Sequence, residues 1–370
     1  MDKTNFFLRL FPTPTFLAMP AVGLDISHQS LRVVELRATS KGVIISRTAE
    51  RRIPPESAYS DGPIRDAELQ KALTALKKDC NLDFVRVSLS EDKAYIFKLS
   101  VPNLPEAQLR QSIELQLEEN APITPTEVVF DFVKFPNESP DHVDVMVAVF
   151  PRKIIDEYTA LLKSVGITPV AFHLSAEAVA RAVIKTGDRG SYLICNLGDR
   201  STGLSVVSDG VVQFTSTLSF GGDALTSAIE KHFAVDHEEA LKIRRGDHHL
   251  KNKEAMELFY SLANAASALK DEMNRIVSYW HTHKDKEGKV GKQIEKIILC
   301  GSGSNLHRFD EYVSTGMSMR VDVANVWQNA FSFDDVIPQM LLADSLSFAG
   351  AIGLALASLP TQSSANKSHA

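Results

Sequence analysis

The strongest constraint on this fold is a pattern written twice. Val22-Gly23-Leu24-Asp25-Ile26-Ser27-His28-Gln29-Ser30-Leu31-Arg32-Val33-Val34 and Ile194-Cys195-Asn196-Leu197-Gly198-Asp199-Arg200-Ser201-Thr202-Gly203-Leu204-Ser205-Val206-Val207 each read as an apolar strand, a short polar turn and a second apolar strand. Backbone N–H groups in such a turn converge on an anion, and small or hydroxyl side chains permit close approach. A carboxylate at the strand end can hold a metal-bound water. Two hairpins of this kind predict two similar α/β domains facing each other across a cleft.

A chain of 370 residues that is 44% hydrophobic has enough apolar content for two or more domains with substantial cores. A net charge of −6, with Lys and Arg scattered, leaves no concentrated basic face and excludes nucleic acid as a partner. Cys80, Cys195 and Cys300 lie far apart without CxxC spacing, which fits buried free thiols in a reducing compartment better than disulfides or a metal site. Residues 1–20 carry Phe6, Phe7, Leu8, Leu10, Phe11, Phe16 and Leu17, but Arg9, Pro12, Pro14 and Pro20 interrupt them. Such a segment cannot span a bilayer; it predicts an arm that packs on the protein or a partner, the alternative being a weak membrane-surface anchor.

The first hairpin runs on into a strand at Val43–Arg47, a loop at Pro54-Pro55, a helix over Asp66–Lys78 and a half-buried strand at Phe84–Leu89. From about residue 93 the character changes. A strand to Val101, a helix over Glu106–Glu119, strands near Val128–Phe135 and Val143–Phe150 and a helix over Arg152–Val165 predict a small inserted module. A strand at Val170–Leu174 and a helix over Ala176–Lys185 then lead to the second hairpin. Its third strand, Val211–Ser216, ends near Gly221-Gly222-Asp223, and helices are expected over Ala224–Phe233, His237–Arg245 and Lys253–Trp280. A buried strand, Lys296–Cys300, opens onto Gly301-Ser302-Gly303-Ser304 and a helix near Leu306, a passage that favours an anionic ligand. The expected organisation is an arm (1–20), a first lobe (21–92, 171–189 and 340–358) and the inserted module (93–170). A second-lobe core (190–222 and 294–339), a helical subdomain (223–293) and a disordered tail (359–370) complete it.

This order of elements resembles the actin-like ATPase superfamily, and within it the PilM family of type IV pilus assembly proteins, relatives of FtsA. The resemblance covers nearly all of residues 20–358. It is carried by the hairpins, by Val33-Val34-Glu35-Leu36, by Phe220-Gly221-Gly222-Asp223, by Glu272, Arg275, Ser278 and Tyr279, and by Ala351-Ile352-Gly353-Leu354-Ala355. It implies an α/β, ribonuclease H-like two-lobe fold with a small inserted α+β subdomain. It also implies an ATP and Mg²⁺ site formed by Asp25, Ser27, His28, Gln29, Ser30, Arg32, Asn196, Gly198, Asp199, Arg200, Ser201, Thr202, Gly221, Gly222, Arg244, Gly301, Ser302 and Gly303, with Asp25 acting on Mg²⁺ through water. The alternative for Asp25 is a strand-end carboxylate that only caps its turn.

The departures from the family pattern bear on catalysis. Asn196 stands where Asp is usual, and an amide neither accepts a proton nor carries the charge that holds Mg²⁺ waters. Positioned general-base catalysis is worth about 10²–10⁴ in rate, so this change predicts slow hydrolysis with or without retained binding. Asp199 lies in the same turn and could compensate. Arg32 replaces Lys, Ser27 and Ser302 replace Gly, and Leu241 replaces a ribose-binding carboxylate. Three such weakened contacts at about 1 kcal/mol each lower ATP affinity roughly 10²-fold. Asp247-His248-His249 and His281-Thr282-His283 lack further ligands at zinc spacing and read as loop residues.

The resemblance therefore implies an assembly scaffold without efficient catalysis, sited at the cytoplasmic side of an inner membrane through its partners. Those partners are the N-terminal segment of a bitopic PilN-type protein, held in a groove between first lobe and inserted module, other pilus platform proteins, and further copies of the chain. The rival readings are an active ATPase or kinase of the superfamily and a GspL-like type II secretion component.

Overall fold

The protein is represented by a computed structural model describing residues 21–359, apart from 28, 40–41, 54–66, 136–140, 246–251, 285–287, 289, 307, 316 and 318. The expected arm, His28, the Pro54-Pro55 loop, Asp247-His248-His249 and the tail from residue 360 lie outside the described residues.

The doubled hairpin extends to a doubled sheet. β1 (Ala21–Ile26), β2 (Ser30–Thr39), β3 (Gly42–Arg52), β4 (Phe84–Leu89) and β8 (Thr168–Leu174) form a sheet in the order β3-β2-β1-β4-β8. In the second lobe β9 (Ser191–Leu197), β10 (Thr202–Ser208), β11 (Val211–Leu218), β12 (Lys296–Cys300) and β13 (Arg320–Val323) repeat it as β11-β10-β9-β12-β13. In both, the hairpin strands pair antiparallel and the later strands join in parallel. Strands covered on both faces read as continuous apolar runs, which is why β1 and β9 show no hydrophobic alternation.

Two helices lie between the sheets, α5 (Ser175–Val183) and the final helix α12 (Ala349–Leu356). Val179, Ala182, Ile352 and Ala355 from these helices share one core with Val33 and Val87 of the first sheet and Ile194 and Ile298 of the second. The helices cross almost backbone to backbone. A Cβ on Gly353 would lie 1.7 Å from the Ala178 carbonyl oxygen, so only glycine fits there.

Between β4 and β8 stands the inserted module. Its antiparallel sheet, in the order β5-β7-β6, comprises β5 (Tyr95–Pro102), β6 (Val128–Lys134) and β7 (His142–Pro151). The helix α2 (Glu106–Glu114) packs Leu109 and Ile113 against Leu99, Val145 and Val147. The expected helix over 106–119 breaks at Leu115-Gln116 and resumes as α3 (Leu117–Asn120). The expected boundary at 170 also shifts. Tyr158, Leu161 and Leu162 of α4 (Arg152–Ser164) belong to the first-lobe core, and Thr168 already pairs with Phe84. Alongside α4 lies α1 (Ala67–Cys80), whose Leu69, Leu73 and Leu76 face the same core.

The second lobe carries the helical subdomain: α6 (Gly222–Phe233), α7 (His237–Arg245), α8 (Asn252–Ala265) and α9 (Ser267–Thr282). The single helix expected over 253–280 is thus two, divided at the buried Ala266. The helix expected from Leu306 starts later, as α10 (Phe309–Ser314), and a short α11 (Leu342–Ser345) precedes the final helix. Gly353→Ala should destabilise the fold by about 2 kcal/mol or more, because the new methyl meets backbone and not a movable side chain. Urea denaturation measures this, with the exposed Ala160→Ser as control.

Candidate functional site

The two hairpin turns are built alike. Asp25 stands opposite Arg32 in the β1–β2 register, and Asn196 opposite Gly203 in the β9–β10 register. Each turn is closed by one backbone bond of 2.9 Å, from Ser27 N–H to the Ser30 carbonyl and from Gly198 N–H to the Ser201 carbonyl. Ser27 has no left-handed backbone, so the serine fits where a glycine was expected. Its Oγ also donates to the Ser30 carbonyl at 3.0 Å and lies 2.8 Å from Ser30 Oγ.

The N-terminus of α6 seats on the second turn. Gly222 N–H donates to the Gly198 carbonyl at 2.9 Å and Asp223 N–H to the Asp199 carbonyl at 2.8 Å. Thr202 Oγ1 donates to the Phe220 carbonyl at 2.6 Å. Arg244 is buried behind this joint and donates to the Gly222 carbonyl at 3.0 Å and to Thr226 Oγ1 at 2.9 Å. Gly301 follows β12 with φ +91°, a conformation favouring glycine, and a Cβ there would lie 2.4 Å from the Leu197 carbonyl oxygen.

Between the turns is a cleft of about 90 Å³. It brings together Asp25, Ser27, Gln29, Arg32, Asn196, Gly198, Asp199, Arg200, Ser201, Gly301 and Ser302 of the residues expected from sequence. Ser30, Thr202, Gly221, Gly222, Arg244 and Gly303 are not on its wall. Ser30 and Thr202 are buried in turn contacts, and Arg244 holds α7 to α6. Sequence reasoning missed Ser88 in β4, Ser90 and Glu91 just after it, Ser175 at the start of α5, Thr217, Ser347 and Gly350. A signal existed for Ser88, a hydroxyl set among Val85, Val87 and Leu89 and buried with them.

Arg32, Asp25 and Asp199 in the cleft are engaged by protein groups. Ser88 Oγ donates to Asp25 Oδ1. Burial pushes the Asp25 carboxyl above its ordinary range, opposed by the Ser88 hydrogen bond and the Arg32 charge. Burial also pushes Glu91 up to about 7, with Asp92 and Asp25 adding to the rise and backbone hydrogen bonds opposing it. Arg32, 6% exposed, donates from Nε to Glu50 Oε1 at 3.0 Å, and its Nη2 lies 2.8 Å from the same oxygen and 3.7 Å from Asp199 Oδ2. Ser302 Oγ donates to Asp199 Oδ1 at 2.7 Å. Asn196 Oδ1 accepts from the Cys300 thiol at 3.8 Å.

The space between the turns is narrow for a magnesium nucleotide in this conformation. Small-molecule sites measure roughly 300–1,000 Å³, several times the space here. The one guanidinium that directly faces Asp199 from the first hairpin is already engaged by Glu50. Among the described residues no group of three His, Cys, Asp or Glu side chains could hold a metal ion directly. His281 and His283 serve as packing and hydrogen-bonding groups: His281 Nε2 accepts from Ile294 N–H at 3.0 Å, and His283 stacks on Tyr279 at 4.5 Å.

A larger concavity lies elsewhere, where the first lobe meets the inserted module. This groove of about 990 Å³ is lined by Ala67 and Gln70 of α1, Ile123, Thr126 and Glu127 of the module, and Arg152, Asp156, Ala160 and Ser164 along α4. Its walls are tied at two points. Gln70 Nε2 donates to Ser164 Oγ at 3.1 Å, and Arg152 Nη2 donates to the Val128 carbonyl at 3.0 Å.

Two duplicated sheets, two crossing helices between them and facing hairpin turns define a two-lobed actin-like fold. Among solved structures this chain is similar to EutJ, an ethanolamine utilization protein from Carboxydothermus hydrogenoformans, with a TM-score of 0.54 and 14% identity over 93% of this chain and 91% of that one. It is also similar to MreB5 of Spiroplasma citri bound to ADP, with a TM-score of 0.50 and 14% identity over 84% and 93% of the two chains. A PilM-PilN type IV pilus biogenesis complex matches with a TM-score of 0.73 and 21% identity over 92% of this chain and 98% of that one. Residues 23–359 match the family described as type IV pilus assembly protein PilM, and the chain belongs to that family.

The raised Glu91 carboxyl makes stability depend on pH. Between its ordinary value of 4.5 and about 7 the folded state holds a proton that the unfolded chain releases, so rising pH through this window favours unfolding. Glu91→Gln should remove a loss of about 2–3 kcal/mol across the window, read from urea midpoints at pH 4.5 and 7.5.

Proposed function

We propose that this protein is a scaffold of a type IV pilus inner-membrane platform whose working surface is the groove between first lobe and inserted module. It takes the cytoplasmic N-terminal segment of a PilN-type bitopic membrane protein. The observation that carries this reading is the contrast between two concavities: the groove has about 990 Å³ and the interlobe cleft about 90 Å³. The groove's size and mixed apolar and charged lining suit several residues of an extended peptide. Family membership and the match to a PilM-PilN complex support the choice of partner.

Placement at the membrane would come through partners, and among the described residues no helix is long and apolar enough to cross a bilayer. Efficient ATP hydrolysis is not part of this function. Asn196 supplies no proton acceptor where the second hairpin meets the cleft, and the Asp25 carboxyl is raised by burial and bonded to Ser88. Nucleotide enters the scheme only as a ligand of separated lobes. Contacts to other platform proteins and between copies of the chain belong to the same scaffold role.

Ala160 is exposed on the groove wall, so Ala160→Arg should occupy the groove without disturbing the core beneath α4. Binding of a PilN-type N-terminal peptide, followed by fluorescence anisotropy, should weaken at least about tenfold in this variant, the effect of losing a well-packed anchor. Equal affinity in variant and wild type, or no binding by either, would remove the groove from the proposal.

A further inference from the structure

We infer that the lobes of this chain are held together by a clamp of their own side chains, in the place where a phosphate would otherwise bridge the two hairpins. The clamp has two contacts across the cleft, one hydrogen bond and one ion pair. Gln29, in the first turn, donates from Nε2 to Asp223 Oδ2 at the start of α6, at 2.7 Å. Arg32, on the outgoing strand of the same hairpin, places Nη2 3.7 Å from Asp199 Oδ2 in the second turn.

Each side of the clamp is fixed from behind. Glu50 on β3 binds Arg32 through Nε and Nη2, which sets the fork's direction before it reaches across. Asp199 is held by Ser302 Oγ through its other carboxylate oxygen, and its backbone carbonyl accepts from Asp223 N–H. The two acceptors of the clamp, Asp199 and Asp223, are therefore joined to each other through the α6 N-terminus. Arg32 is buried, so its attraction to Asp199 is screened less than that of a surface pair.

Chemically, these contacts connect what a polyphosphate would connect. A phosphate between the turns would accept from first-hairpin donors and from second-lobe backbone amides. Here carboxylates of the second lobe take the first-hairpin donors, and hairpin carbonyls take the amides of Gly222 and Asp223. An anion must displace Asp199 and Asp223 to reach Gln29 and Arg32, and like charge opposes it until they move. Closure in this protein consequently needs no ligand, and Mg-ATP competes with it. The inference rests on cleft geometry alone and stands apart from the choice of groove partner.

The test uses the whole chain and three measurements: small-angle X-ray scattering, hydrogen exchange at residues 27–32 and 198–202, and titration with Mg-ATP to about 1 mM. Wild type should scatter as the closed form, show slow exchange at both turns and give no saturable binding. The Gln29→Ala/Asp223→Ala double variant touches no core residue and should fold. Its turns should exchange about tenfold faster, the factor expected for losing one charge-assisted bond, and its scattering should shift to a larger radius. Arg32→Lys, which keeps the charge but loses the fork held by Glu50, should act in the same direction. Saturable Mg-ATP binding by wild type with unchanged scattering would overturn the clamp. So would exchange and scattering in the double variant indistinguishable from wild type.

Discussion

The crossing of α5 and α12 is the constraint on which the rest of this structure depends. Gly353 meets the Ala178 carbonyl with no side chain between, and both sheets pack their inner faces on this helix pair. Packing at this distance leaves no void into which either helix could slide. With the two lobes joined through this pair, the hairpin turns face each other and Arg32 comes within 3.7 Å of Asp199.

Duplication explains the symmetry of the cleft, and one position explains its asymmetry. The two turns close with the same backbone bond, yet the residue opposite the strand-end polar group is Arg32 in the first lobe and Gly203 in the second. A single long side chain from one lobe thus enters space that its counterpart leaves open. Asn196 carries no charge, so the strand-end acid of the cleft is Asp25, whose neutral form burial favours against the opposing Ser88 hydrogen bond and Arg32 charge. A fold seen elsewhere with ADP bound, as in MreB5, here has a cleft organised around protein–protein polar pairs.

Much of this was legible in the amino-acid sequence. The doubled hairpin foretells both sheets because each strand pair carries its own turn, and a local pattern is what periodicity can read. The turn residues Asp25, Gln29, Arg32, Asn196 and Asp199 converge as the pattern implies. Ser88, Glu91 and Ser175 were missed because they reach the cleft from β4, the turn after it and α5, and nothing in their neighbourhood along the chain marks that meeting. Arg244 has the composition of a ligand contact, but Gly222 and Thr226 claim its guanidinium. The resemblance placed a groove between first lobe and inserted module, but its lining could not be read from the residues, since Gln70 and Ser164 meet only through the packing of α1 beside α4.

The divided allegiance of α4 has a further consequence. Its buried face belongs to the first-lobe core through Tyr158, Leu161 and Leu162, while its exposed face walls the groove opposite the module's Ile123 and Thr126. The module itself has only a small core of its own around Leu109 and Val145. A peptide lying in the groove would touch both bodies at once and act as a splint across their joint. Its binding energy would then be spread unequally, adding most to the local stability of the module, which has the least to spare.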